Sequence, residues 1–197
     1  DAGAEERLTL IYISLGKDLE QQLEMLRNEN KREEQKKVSE GFELFLNRIL
    51  KRPGNTFSSL SWIAETFYGL GAGLDPGGQK LPSDAEGYYK RAAAGYLTIL
   101  KSLKADPKFG PPGAELTVNI RLARCLRRLQ KYQDALKLLL AVLEQKPMMI
   151  DAQLEAAYTY QARGAEKPVF YRIAMLGSKQ YPQFWGWGRI ANRVARS

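Results

Sequence analysis

Residues 116–147 read LTVNIRLARCLRRLQKYQDALKLLLAVLEQKP, two apolar-striped segments either side of the polar turn Gln130-Lys131-Tyr132. Asn119, Leu122, Ala123 and Leu126 mark one face of a helix expected near 114–129. Ala135, Leu139 and Val142 mark a second, near 132–145, and Pro147 closes it. Steps of three and four residues are those of amphipathic helices. The small side chains at Ala123 and Ala135 let the two helices approach closely. The larger apolar residues are then left to fill the space between this pair and the next. A single hairpin of this kind cannot bury its apolar face, so several must stack.

The same pattern of helix and breaker extends both ways along the chain. Pro at 53, 107, 147 and 182 marks helix ends, and the last interval is close to a repeat period of about 34 residues. Towards the C-terminus, helices are expected near 149–162 and 167–180, with a last one near 185–195. Towards the N-terminus, Phe109-Gly110-Pro111-Pro112-Gly113 is a rigid connector. Before it, Ser83-Asp84-Ala85-Glu86 fits a capping box that opens a helix running to about Lys104. Gly71-Ala72-Gly73-Leu74-Asp75-Pro76-Gly77-Gly78 is the strongest breaker cluster and ends a helix over about 58–70. In the first third, Leu8, Ile11, Tyr12, Leu15, Leu19, Leu23 and Leu26 form a stripe, and Val38, Phe42, Phe45, Leu46 and Ile49 resume it after a polar run. Two antiparallel helices turning near Asn28–Asn30 account for this, with one continuous helix as the alternative. No segment alternates with period two, and no sheet is expected.

Residues 116–147 resemble the tetratricopeptide repeat, whose pattern is W-x2-L-G-x2-Y, then a small residue, an aromatic or apolar one, another small one and Pro. The spacing is kept, with Asn119, Ala123 and Leu126 standing for Trp, Gly and Tyr. Leu60, Ile63, Ala64, Phe67, Leu70 and Gly71 fit the first helix of a preceding repeat. Ala156, Ala157, Tyr160 and Gly164 fit that of a following one, which Ile173, Leu176 and Pro182 close. The resemblance covers about 57–182 and is only architectural for the first pair. It implies an all-α fold, an α-solenoid in which antiparallel helix pairs form a right-handed superhelix, as a single domain over 1–197. Its parts are a long N-terminal helical pair (1–53), a repeat with an inserted loop at 72–83 (57–107), the best-matching repeat (114–147), a further repeat (148–182) and a C-terminal capping helix (184–197).

Composition narrows the chemistry. The chain has 197 residues, 44% apolar and 26% charged, enough to bury a core without staples. It has no His, so no Ser-His-Asp or Cys-His site is encoded, and its single Cys excludes an intrachain disulfide or multi-cysteine metal site. The longest run without Asp, Glu, Lys or Arg, 53–64, is too short for a membrane-spanning helix, which needs about 20 apolar residues. The chain opens at Asp1, with neither Met nor the form of a secretory signal, which suits a fragment or processed segment. The compartment stays open. Gly73–Lys80 misses the phosphate-loop pattern, since Gln79 stands in the Lys slot and no strand precedes it. Cys125, on an apolar helix face, reads as a buried, inert thiol. No catalytic, cofactor-binding or metal-ligating residues are expected.

The net charge of +8 is uneven. Residues 1–53 hold 10 basic and 11 acidic side chains, 54–147 hold 13 and 8, and 148–197 hold 7 and 3. Within the middle part, Thr117, Arg121, Arg124 and Arg128 form one helical stripe with Arg127 beside it. The family resemblance implies that first helices line a concave groove and that this stripe faces it. Arg donates in a planar fork to carboxylates or phosphates, so such a groove suits an acidic peptide or C-terminus. On the same projection Ser61, Trp62, Glu65 and Tyr68 lie to one side, and Asp151, Leu154, Glu155, Tyr158 and Gln161 to the other. Two structural alternatives stand beside this: the arginines pair with Glu65 or Glu155, and Trp62 is packed core. The clamp by which chaperone-tail-binding members work is not reproduced, because its Asn residues are missing and Glu65 would repel a carboxylate. Trp185, Trp187, Arg189, Arg193 and Arg196 could stack on bases or lie on a membrane surface. The function expected is a non-catalytic protein- or peptide-binding scaffold acting through Arg121, Arg124, Arg128, Trp62, Glu65, Tyr68, Glu155 and Tyr158. The alternatives are binding of nucleic acid or another polyanion through a basic groove, given a sequence pI of about 9.5, or a structural spacer or oligomerisation segment.

Overall fold

The computed structural model describes residues 2–51, 54–75, 77 and 80–164. Among them the helical spacing is realised as seven helices: α1 (Ala2–Asn28), α2 (Arg32–Leu50), α3 (Phe57–Leu74), α4 (Ser83–Ala105), α5 (Ala114–Arg128), α6 (Tyr132–Gln145) and α7 (Ile150–Ala162). The described residues contain no strand. The chain divides into two compact units that meet in sequence at Gly110 and Pro111, and within each unit consecutive helices pack on one another. The helices expected over 167–180 and 185–195, and the C-terminal Trp and Arg residues, lie outside the described residues.

In the first unit α1 and α2 are separate helices. The chain reverses at Asn30, whose φ is 57°, and the Lys31 amide returns to the Leu26 carbonyl at 3.0 Å. That is a left-handed helix stop, a conformation Asn tolerates better than most residues. The seam between α1 and its neighbours runs through Tyr12, Gly16, Leu19, Leu23 and Leu26. Ile11 and Leu15, expected in the buried stripe, point outward and are 60% and 46% exposed. Gly16 explains the displacement: the Trp62 ring of α3 fills the place its Cβ would take, so the seam passes through the glycine. The Tyr12 ring meets Phe45 edge-on at 5.6 Å, and Phe42 lies between Phe45 and Trp62.

The apolar α3 is opened by a capping box at Thr56–Ser59. The Ser59 amide donates to Thr56 Oγ1 at 3.2 Å and the Thr56 amide to Ser59 Oγ at 2.9 Å. The box expected at Ser83–Glu86 does not form. Pro82, extended at φ −61° and ψ 143°, takes the cap position, and Ser83 becomes the first helical residue with no side-chain cap bond. Helix α3 also outlasts the sequence expectation, running through Gly71-Ala72-Gly73 to Leu74, so the first three positions of the loop expected at 72–83 are helical, as is Ser83 at the start of α4. Gly71 lies against the Tyr89 ring, and the Tyr89 hydroxyl donates to Asp75 Oδ2 at 3.1 Å, tying the helix end to α4. Close approach of α3 and α4 is set at Gly95, where a Cβ would stand 3.0 Å from that of Ala64.

In the second unit α5 and α6 form the hairpin read from 116–147. Ile120, Ala123, Ala135, Leu139 and Val142 make its core, which Ala152 and Ala156 of α7 complete. The α5–α6 turn repeats the α1–α2 turn. Gln130 has φ 60°, the Lys131 amide returns to the Leu126 carbonyl at 2.8 Å, and Lys131 stands at the next helix start as Lys31 does.

Candidate functional site

The arginine stripe is positioned by the packing of α7 on α5. Ala152 and Ala156 of α7 sit in the hairpin core, which turns Glu155 inward until only 3% of it is exposed. An ionised carboxylate at that depth needs compensation. It receives two guanidinium groups from α5: Arg124 Nε at 3.3 Å from Oε2, and Arg127 Nε at 2.5 Å from Oε1. Arg127 also stands over the Tyr158 ring, 5.5 Å from its centroid. Two cations on one anion leave a local excess of positive charge, and the Arg124 side chain is 37% exposed. Arg121 and Arg128 are half-buried, each engaged by neighbours.

Of the residues singled out in the sequence, Arg124, Glu155 and Tyr158 are thus brought together, with Arg127 as their link. Pairing with Glu155, the structural alternative, describes Arg124 and Arg127. Trp62, Glu65 and Tyr68 belong to the first unit. Trp62 packs inward on Gly16 and Phe42, as the packed-core alternative has it. Its Nε1 and the neighbouring Ser61 Oγ are buried without a hydrogen-bond partner among the described residues. Glu65 accepts a hydrogen bond from the Tyr96 hydroxyl, and the Tyr68 ring lies 5.3 Å from that of Tyr89. Cys125 is fully buried.

No family model, curated protein or solved structure matches this chain.

Sequence reasoning passed over a cleft in the first unit. It has a volume of about 860 Å³ and lies between α2, the end of α3 and the start of α4. Arg91 of α4 pairs there with Glu43 of α2 and stands 5.8 Å from the centroids of both Phe67 and Tyr88. The Tyr88 hydroxyl has its pKa pushed up to about 12, first by burial and then by the negative field of Glu43, against which Arg91 works. The available signal was the charged stripe Glu33, Lys36, Glu40, Glu43, which reads equally well as a solvated helix face. Among the described residues no group of three or more acidic, Cys or His side chains could hold a metal ion, and no helix is long and apolar enough to cross a membrane.

Proposed function

We propose that this chain is a non-catalytic helical-repeat scaffold of the tetratricopeptide kind, its hairpins stacked as a right-handed solenoid, and that the α5–α7 face captures an acidic protein segment. One observation carries the reading. The buried Glu155 carboxylate anchors Arg124 and Arg127 by their Nε atoms, fixing two guanidinium groups beside Tyr158 on a face with surplus positive charge. Anchoring in advance lowers the ordering penalty of recognition, and Arg with Tyr is the pairing from which interface hot spots are built. The shared turn at Asn30 and Gln130 supports a repeated hairpin, because the same left-handed stop recurs in helix pairs whose side chains differ.

The test is anisotropy of a labelled, Glu-rich peptide titrated with the chain. The triple variant Arg121→Ala, Arg124→Ala, Arg128→Ala is expected to weaken binding about tenfold, and the affinity to fall with added salt. The second reading, polyanion binding, rests on the same positive excess. It is favoured if a single-stranded oligonucleotide outcompetes the peptide and its log–log salt slope reports several phosphates contacted. Equal binding by wild type and variant would leave only the spacer reading.

A further inference from the structure

Ile11 and Leu15, displaced from the buried seam, have a neighbour on the surface. Leu44 of α2 is 65% exposed, and Phe45, which follows it, is the residue that meets Tyr12 of α1. A helix turns about 100° per residue, and on that basis all three lie on one face. On α1 the Trp62 ring of α3 enters at Gly16, to one side of Tyr12, and Ile11 and Leu15 lie to the other. On α2 Phe42 turns from Phe45 towards Trp62, and Leu44 turns away from it. The α1–α2 hairpin thus carries an apolar patch on its side away from α3. Because the two helices run antiparallel, the Tyr12–Phe45 contact also sets their register: Leu44 stands level with the midpoint between Ile11 and Leu15. Exposed clusters of this kind mark surfaces that meet another molecule.

The charges bordering the patch show which molecule. Glu40 and Arg48 stand one turn before and after Leu44 on α2, and Arg7 and Asp18 stand one turn outside Ile11 and Leu15 on α1, all four exposed. Each pair is opposite in sign and straddles the same midpoint. A two-fold axis lying across both helices at that level sets α1 antiparallel on α1 of a second copy, and α2 on α2. Ile11 then faces Leu15 of the other copy, Leu44 faces Leu44, Glu40 faces Arg48 and Arg7 faces Asp18. A patch that complements itself in this way is the isologous surface of a two-fold dimer. A partner of another kind has no need of charges balanced about one point.

We propose that the α1–α2 face packs against a second copy of the chain across this two-fold axis, with Ile11, Leu15 and Leu44 as its apolar centre and the two ion pairs at its borders. The face lies in the other unit from the arginine stripe, so it stands or falls separately from the function proposed above.

The experiment is sedimentation equilibrium of the whole chain at near-physiological salt, over loadings from micromolar to submillimolar. A monomer–dimer equilibrium is expected. Leu44→Glu sets two carboxylates against each other on the axis and should weaken the dimer at least about tenfold. Leu44 is exposed, and unchanged circular dichroism will show that the variant folds. Leu97→Glu, the same change at a leucine of α4 that is 56% exposed, should dimerise as wild type does. So should the triple-arginine variant, which separates this outcome from that of the acidic-peptide test. Arg48→Glu alone should weaken the dimer roughly tenfold, and adding Glu40→Arg to it should restore most of the lost affinity. A monomer across the whole range, a dimer indifferent to Leu44→Glu, or a charge exchange that restores nothing would overturn the proposal.

Discussion

Gln130 sits at φ 60°, where an L side chain crowds the following carbonyl at a penalty of about 1–2 kcal/mol. Its place after the last turn of α5 is one that Gly occupies more readily. Gln130→Gly should therefore raise stability by about 0.5–1 kcal/mol, seen as a higher urea midpoint at unchanged slope. The sequence marked this turn only by its polarity, because left-handed geometry at a Gln carries no composition signal. Trp62 and Arg124 show a related limit. A helical projection says which side of the helix a residue is on, but not what that side meets. For Trp62 the answer was Gly16, more than forty positions away, and for Arg124 it was Glu155.

At the scale of the helix, periodicity was enough to place α4 to α7 within about a residue and α3 within about four, because apolar residues at three- and four-residue steps must face a neighbour to be buried, whereas for residues 1–53 it left one helix or two open. The starts were harder. Ser83-Asp84-Ala85-Glu86 has the letters of a capping box, yet Pro82 took the cap, while Thr56-Phe57-Ser58-Ser59 forms the box with Ser in the place of Glu. Thr56→Ala should thus cost about 1 kcal/mol, whereas Ser83→Ala should stay near neutral, a contrast that paired denaturation curves will reveal. The α2–α4 cleft was not legible, since the gap between helices depends on how their axes diverge. Tyr88 within it gives a pH signature. Its proton is held to about pH 12 in the folded chain, against an ordinary value of 10.0. Over that window the unfolded chain releases a proton that the folded chain keeps. The resulting stability is fully present below pH 10 and falls away as pH rises through 12. Tyr88→Phe should remove a late-titrating component from the tyrosinate absorbance curve of the wild type.

Across the molecule, the two compact units each have their own core, and this sets how variants combine. Gly16→Ala pushes a methyl into the Trp62 ring of the first unit. Overpacking of this kind costs about 1–3 kcal/mol, only partly offset by better helix propensity. Glu155→Ala strips the second unit's arginines of their anion at a cost of about 2 kcal/mol, less than for a fully buried pair because Arg124 reaches water. Gly16 acts through Trp62 and Glu155 through Arg124 and Arg127, so the double variant should equal the sum to within about 0.5 kcal/mol in calorimetry or urea unfolding. All-helical architecture was legible from the sequence because every local signal agreed on it. The division into two units was written only in the connector Phe109-Gly110-Pro111-Pro112-Gly113, which reads the same whether it joins repeats or separates cores. The walled-in sulfur at Cys125 then acquires an experimental use. As the chain's lone thiol it offers no handle to a disulfide reagent until α5 lifts away, so the pace of its labelling is a clock for the opening of the second unit alone.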